Sequence, residues 1–161
     1  MSVWGIIRNL KFREISTIST IFLKNPKFFI PTLKATLETI KFCDFKFGDQ
    51  HHFDNPTNAF RHAYWNYLIC EKCIKFAGSP TEVAQWAKKI TDLHEKLSPN
   101  DILAREMDLH NNRVGREIFL QNPGGIPESG QFFKDMIPKA VQIKTLDEIK
   151  NSQHQLVYIE N

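Results

Sequence analysis

Asn25-Pro26, Asn55-Pro56, Ser79-Pro80 and Ser98-Pro99 each set a capping residue directly before a proline. Asparagine and serine side chains accept hydrogen bonds from the free N–H groups of a first helical turn. Proline lacks an N–H and fits the first helical position. The chain is therefore cut into helices before any composition is counted. Between these marks the apolar residues recur every three or four positions, the helical period. The expected class is all-α, a single compact domain of about six helices joined by short loops.

The starts and stops give a map. Residues 3–23 read as a first helix, with Val3, Ile7, Leu10, Ile18 and Phe22 near one face. A second runs from Pro26 to about residue 42. FCDFKFGDQHHFDN reads as a loop, and its CDFKF alternation suits a short strand. The next helix starts at Asn55 and ends at Gly78, a natural C′ residue. Ser79-Pro80-Thr81-Glu82 is a capping box that opens a helix to about Leu97. Ser98-Pro99-Asn100-Asp101 opens another, with room for a break, to Leu120. Asn122-Pro123-Gly124-Gly125 stops it. A shorter helix is expected over 130–143, a brief one at Asp147 and Glu148, and a strand or docked strip at LVYI. By organisation, residues 1–48 form basic amphipathic helices, 55–121 a three-helix core, and 126–161 the C-terminal helices and tail.

The chemistry gathers in that middle region. Asp108, His110, Asn111, Asn112, Arg113, Gly115 and Arg116 fall within nine positions of one helix. Asp108, Asn112 and Gly115 share a stripe, with Asn111 beside it. A mid-helix glycine costs up to about 1 kcal/mol against alanine. Close approach of another helix is one reason to keep it. On the Asn55 helix, Asn58, His62, Trp65 and Ile69 form a stripe, with Arg61 beside it. If that helix crosses at Gly115, Asp108 or Asn112 reaches His62. On the Ser79 helix, His94 shares a face with Val83, Ala87, Ile90 and Leu97, and Glu95 flanks it.

Three readings of these residues stand side by side. His62 is a general base oriented by Asp108, with Glu95 and His94 as a second acid/base pair. Or a divalent metal is held by His62, His94, Glu95 and Asp108. Or the groups form a buried network that sets the register of three helices. In the first two, Asn58, Arg61, Trp65, Asn111, Asn112 and Arg116 bind an anionic or ester substrate. Glu95 is not part of an H-E-x-x-H zinc motif, because Leu97 and Ser98 follow and no second histidine arrives. Cys70 and Cys73 form C-x-x-C well inside a helix and read as ordinary thiols. His51 and His52, with Asp54, read as a loop group with metal-ligand chemistry whose simpler reading is a solvated loop. No Walker, Rossmann or G-x-S-x-G pattern occurs.

The quoted blocks NAFRHAYW, the HE of TDLHEKL, and MDLHNNRVGR resemble a bacterial domain of unknown function. Its pattern is N-A-x-R-H-A-x-W, then a His-Glu pair, then M-D-L-x-N-N-x-x-G-R. Nearly the whole chain is similar to a stand-alone version from Bacteroidetes-type bacteria. Related domains end larger secreted or toxin-like proteins, so the resemblance implies an effector-type hydrolase and names no reaction. FRHAYWNY is also similar to the R-H-D-x-x-Y helix of bacterial secreted phospholipases A2, with Ala63 in place of the calcium-binding aspartate. That likeness implies a His–Asp pair acting on a phospholipid.

Charge and cysteine usage set the expected surroundings. Residues 1–48 carry eight Lys/Arg against three Asp/Glu, a net of +5, within a total of +3. That end can meet an anionic membrane surface; its simpler reading is a pair of helices with solvated lysines. The positive charge lies away from the motifs, which argues against nucleic acid. Arg8 and Lys11 are followed by no apolar h-region, and three cysteines make no disulfide framework. The expectation is a cytoplasmic protein, peripheral at the membrane if the basic end docks.

Overall fold

The computed structural model describes residues 19–97 and 101–159. Residues 19–24 are helical, and the expected helix over 3–23 otherwise lies outside the described residues. After a 3₁₀ turn at Pro26–Phe28, α1 spans Phe29–Phe47. Pro31 falls in its first turn, where the missing N–H removes no helical bond. Thr32, Ala35, Thr39 and Cys43 make its buried stripe. The expected loop and strand after residue 42 are instead more helix and a 3₁₀ turn at Gly48–His52. The reason is packing. Phe42 stacks on Phe60 at 5.4 Å and Phe47 meets it edge-on at 5.1 Å, so this stretch is anchored as a helix.

α2 (Pro56–Cys73) is the centre of the molecule, buried around most of its circumference. Asn55 caps it by accepting from the N–H groups of Thr57 and Asn58, with Pro56 at the first position. It ends earlier than the sequence suggests. The chain tightens to a 3₁₀ turn at Ile74–Phe76, and Gly78 does not take the left-handed conformation. The Gly78 N–H instead donates to the Glu82 carboxylate at 2.7 Å.

α3 (Pro80–Leu97) begins where Ser79 Oγ accepts from Glu82 N at 3.2 Å. α4 (Ile102–Gln121) is unbroken and is capped by Asp101, which accepts from Ala104 N at 2.9 Å. Residues 98–100 of its expected start signal lie outside the described residues. α2, α3 and α4 pack on one another, and α1 covers the far side of α2. Phe60, Tyr64, Tyr67, Phe119 and Phe133 fill the core, with Phe28 against Trp86 at one end.

The expected helix over 130–143 is shorter, α5 at Ser129–Lys134. Pro138 disfavours helix at the residue before it, and the chain passes through a 3₁₀ turn into a strand. β1 (Val141–Gln142) pairs in parallel with β2 (Val157–Tyr158), Val141 opposite Val157. Between them α6 (Leu146–Asn151) opens on a full capping box of Thr145 and Glu148. Met107, Ile143, Ile149 and Val157 form a small second core under this clasp. Among the described residues, no helix is long and apolar enough to cross a membrane.

Candidate functional site

α2 and α4 touch backbone to backbone. A Cβ on Gly115 would lie 2.0 Å from the Ala63 carbonyl oxygen and 2.7 Å from its carbon. No side chain fits there. The crossing sets His62, one residue before Ala63, against the preceding turns of α4. Those turns carry Asp108 and Asn112. α3 packs alongside and brings Glu95 to the same place.

His62 is clamped from both sides of its ring. Nδ1 lies 3.2 Å from Asn112 Oδ1 and 3.5 Å from Glu95 Oε1. Nε2 lies 3.3 Å from Asp108 Oδ1 and 3.0 Å from the Arg61 guanidinium. The orientation of Asn112 follows from its other bonds. Its amide nitrogen donates to Glu95 Oε1 at 2.9 Å, and its oxygen accepts from Asn66 Nδ2 at 2.6 Å. Oxygens therefore face Nδ1, so Nδ1 carries a proton. Nε2 is the nitrogen left to gain or lose one, between a carboxylate and a guanidinium.

A further ring of groups holds these in place. Asn66 Oδ1 accepts from Thr91 Oγ1 at 3.1 Å and from Arg116 Nη1 at 2.8 Å. Asn58 satisfies both ends of its amide when its nitrogen donates to Asp108 Oδ1 and its oxygen accepts from Arg61, each at 3.2 Å. His62 is 2% exposed, and Glu95 and Asp108 are 3% each. Arg61 forms the half-buried edge, with its other nitrogen 3.4 Å from Nδ1 of the exposed His52.

Burial and charge move the titrations in different directions. Burial pushes the Asp108 carboxyl up to about 6, against the pull of His62 and Arg61. Burial opposes the charged form of His62, but Asp108 and the bond to Glu95 outweigh it, and the imidazole is raised. Glu95 would be raised by burial, yet its bond to His62 and the nearby charges hold it below the usual range. Above about pH 6 Asp108 is mostly ionised, and Glu95, held below its ordinary value, is charged. Burial drops His94 to about 4, so it is neutral.

The sequence-level candidates separate into two groups. His62, Asp108, Glu95, Asn112, Asn58 and Arg61 come together. Trp65 faces α1, its indole N–H donating to Thr36 Oγ1 at 2.9 Å. His94 stands edge-on to the Trp65 ring at 5.3 Å, and 6.4 Å from the His62 ring. Asn111 points out of the site: its amide donates to the Val157 carbonyl and accepts from the Val157 N–H. Arg116 donates to Asn66 Oδ1, one partner removed from His62. Asn66 and Thr91 were not singled out from sequence. The signal was there, since Asn58, His62 and Asn66 recur every four residues, as do Ala87, Thr91 and Glu95.

Two groups among the described residues have metal-ligand chemistry. His62, Glu95 and Asp108 each offer a ligand atom within 4.8 Å of the others; His94 is not part of the set. Asp44, His51 and His52 form the second. His51 is buried rather than solvated, with Nε2 2.9 Å from Asp44 Oδ1, and Asp44 takes the place expected of Asp54. Cys43, Cys70 and Cys73 are free and buried. Burial raises all three thiols, Cys43 to about 12 and Cys73 to about 11, so none is a thiolate nucleophile.

A search among curated proteins finds no match to this chain. A family model does match, over residues 19–145, which takes in α1 to α5, β1 and every residue of the His62 cluster. On that match the chain belongs to the family described as domain of unknown function DUF6973.

Proposed function

We propose that this protein is a hydrolase in which His62 Nε2 is the general base and the substrate is an anionic ester, a phospholipid among the candidates. The observation that carries the reading is the imidazole held between carboxylates on opposite nitrogens. Glu95 sits beside Nδ1 and Asp108 beside Nε2. Glu95 fixes the tautomer and balances the imidazolium as it forms. Asp108 accepts the hydrogen bond of Nε2–H once Nε2 has taken its proton. Arg61 pairs with the negative charge of the substrate at the half-buried edge. Nε2 takes a proton from water, the hydroxide attacks the ester, and the proton returns to the leaving oxygen.

A divalent cation is the variant of this reading in which His62, Glu95 and Asp108 are ligands. Arg61, 3.0 Å from Nε2, puts a positive charge where that cation would bind. This favours the metal-free version. Elemental mass spectrometry of wild type, His62→Ala and Asp108→Ala distinguishes them; stoichiometric metal lost in both variants would establish the metal version.

The test is turnover on a panel of p-nitrophenyl esters, phosphodiesters and phospholipids. His62→Gln is expected to stay folded by circular dichroism and to lose on the order of 10²–10⁴ in rate. The wild-type rate should rise with pH through a value above 6.5, the ordinary histidine value from which His62 is raised. A variant as fast as wild type would end the proposal.

The second reading is a non-enzymatic helical module with a buried polar network, binding a membrane or a protein partner. Near-complete burial of His62, Glu95 and Asp108 favours it. It predicts no turnover on the panel, and variants that differ from wild type in stability alone.

A further inference from the structure

The outward face of α1 is apolar where a surface helix is ordinarily polar. Ile30, Leu33 and Leu37 are 52%, 38% and 41% exposed, and Phe45 is 81% exposed. At about 100° per residue, all four fall within roughly 60° of one line down the helix. Lys34 and Lys41 lie in the same sector and are exposed. Of the two acidic residues of α1, Glu38 lies just outside this sector and Asp44 lies within it, 59% exposed. Glu38 pairs with Lys72 on α2 at 2.6 Å, and Asp44 is held by His51. The face thus presents large apolar side chains with two lysines among them and one acidic side chain, Asp44, bonded to His51 at its C-terminal end.

We infer that this face docks on an anionic lipid bilayer. Leucine, isoleucine and phenylalanine enter the headgroup boundary, and the lysine ammonium groups stay at the phosphates. Charge decides among occupants. A second copy of the chain, related by a two-fold axis, would set Lys34 and Lys41 against their own counterparts. Residues 1–18 carry Arg8, Lys11 and Arg13 against Glu14 alone, so they are positive as well. An anionic surface satisfies both halves of the pattern.

The face also leads to the His62 site. Asp44, at the C-terminal end of α1, bonds His51; the His51 and His52 rings are 4.0 Å apart; His52 meets Arg61. Headgroups held at this end of α1 would lie a relay of two side chains, His51 and His52, from Arg61. That extension, a membrane phospholipid as the anionic ester, rests on the hydrolase reading; the docking itself does not.

The test is vesicle flotation of the full chain, using phosphatidylcholine alone and phosphatidylcholine with phosphatidylserine. Wild type is expected to float with the anionic vesicles only. Leu33→Asp with Leu37→Asp, and separately Lys34→Glu with Lys41→Glu, should each weaken binding roughly tenfold or more. These side chains are exposed, and circular dichroism checks that both variants fold. Failure of wild type to float overturns the inference. So does equal flotation of both variants, which would move the contact elsewhere on the chain. Self-association lost in the leucine variant, without vesicle binding, would make the occupant a second copy instead. His62→Gln should float like wild type, so a failure of the chemistry and a failure of the docking are told apart.

Discussion

Asn111 and Asn112 are neighbours on α4 and serve opposite sides of it. Adjacent helical residues diverge by about 100°, so the pair cannot face one target. Asn112 joins Glu95, Asn66 and His62, while Asn111 binds both backbone groups of Val157 in β2. Asn111→Ala is therefore expected to cost roughly 2 kcal/mol, because two buried hydrogen bonds are lost. Urea denaturation measures the cost, and hydrogen exchange should show early opening at residues 141–158. Turnover per folded molecule should be unchanged. The sequence pattern could not assign Asn111, because its partner is backbone 46 residues away. It grouped Trp65 with His62 for a related reason: Trp65 and Asn66 both lie near the stripe of Asn58 and His62. Only the position of α1, which supplies Thr36, turns Trp65 outward from the site.

Among the elements, the crossing of α2 and α4 matters most. It was legible as a mid-helix glycine in a polar segment, and its cause is the contact of Gly115 with the Ala63 carbonyl. Gly115→Ala must part the helices, since the obstacle is backbone and cannot rotate away. The expected cost is about 3 kcal/mol or more, measured by chemical denaturation. Gly124→Ala is the control; a Cβ there meets nothing within 4 Å. Equal stability of the two variants would refute the contact. The helix starts at Pro56 and Pro80 were legible because capping is local chemistry. The ends of α1 and α2 were not. α1 is prolonged by Phe42 and Phe47 packing on Phe60, a contact between distant parts of the chain.

For the molecule as a whole, the His62 cluster ties stability to pH. Asp108 titrates near 6 when folded, against its ordinary 3.8. Between those values the folded state holds more protons, so stability falls as pH rises. His62, raised from 6.5, continues the fall: its contribution is full below 6.5 and lost as pH climbs through the folded value. Glu95, lowered from 4.5, acts the other way and loses its contribution as pH drops below 4.5. Thermal stability should therefore be greatest below about pH 4.5 and decline from there toward neutral pH. Asp108→Asn should flatten the decline between about pH 4 and 6, a difference of roughly 2–3 kcal/mol. Parallel stability curves for variant and wild type would contradict this. The all-α class and the convergence of three helices could be read from residue order. The depth of burial that sets these titrations could not, because it depends on α1 and on the chain around His52. The Gly115 contact has one more consequence, for access. Two backbones in contact form no hinge, so α2 and α4 cannot swing apart to admit a molecule to Nε2. On the hydrolase reading, a molecule reaches Nε2 past the half-buried Arg61, and side-chain rotamer changes take far less time than the movement of a lid.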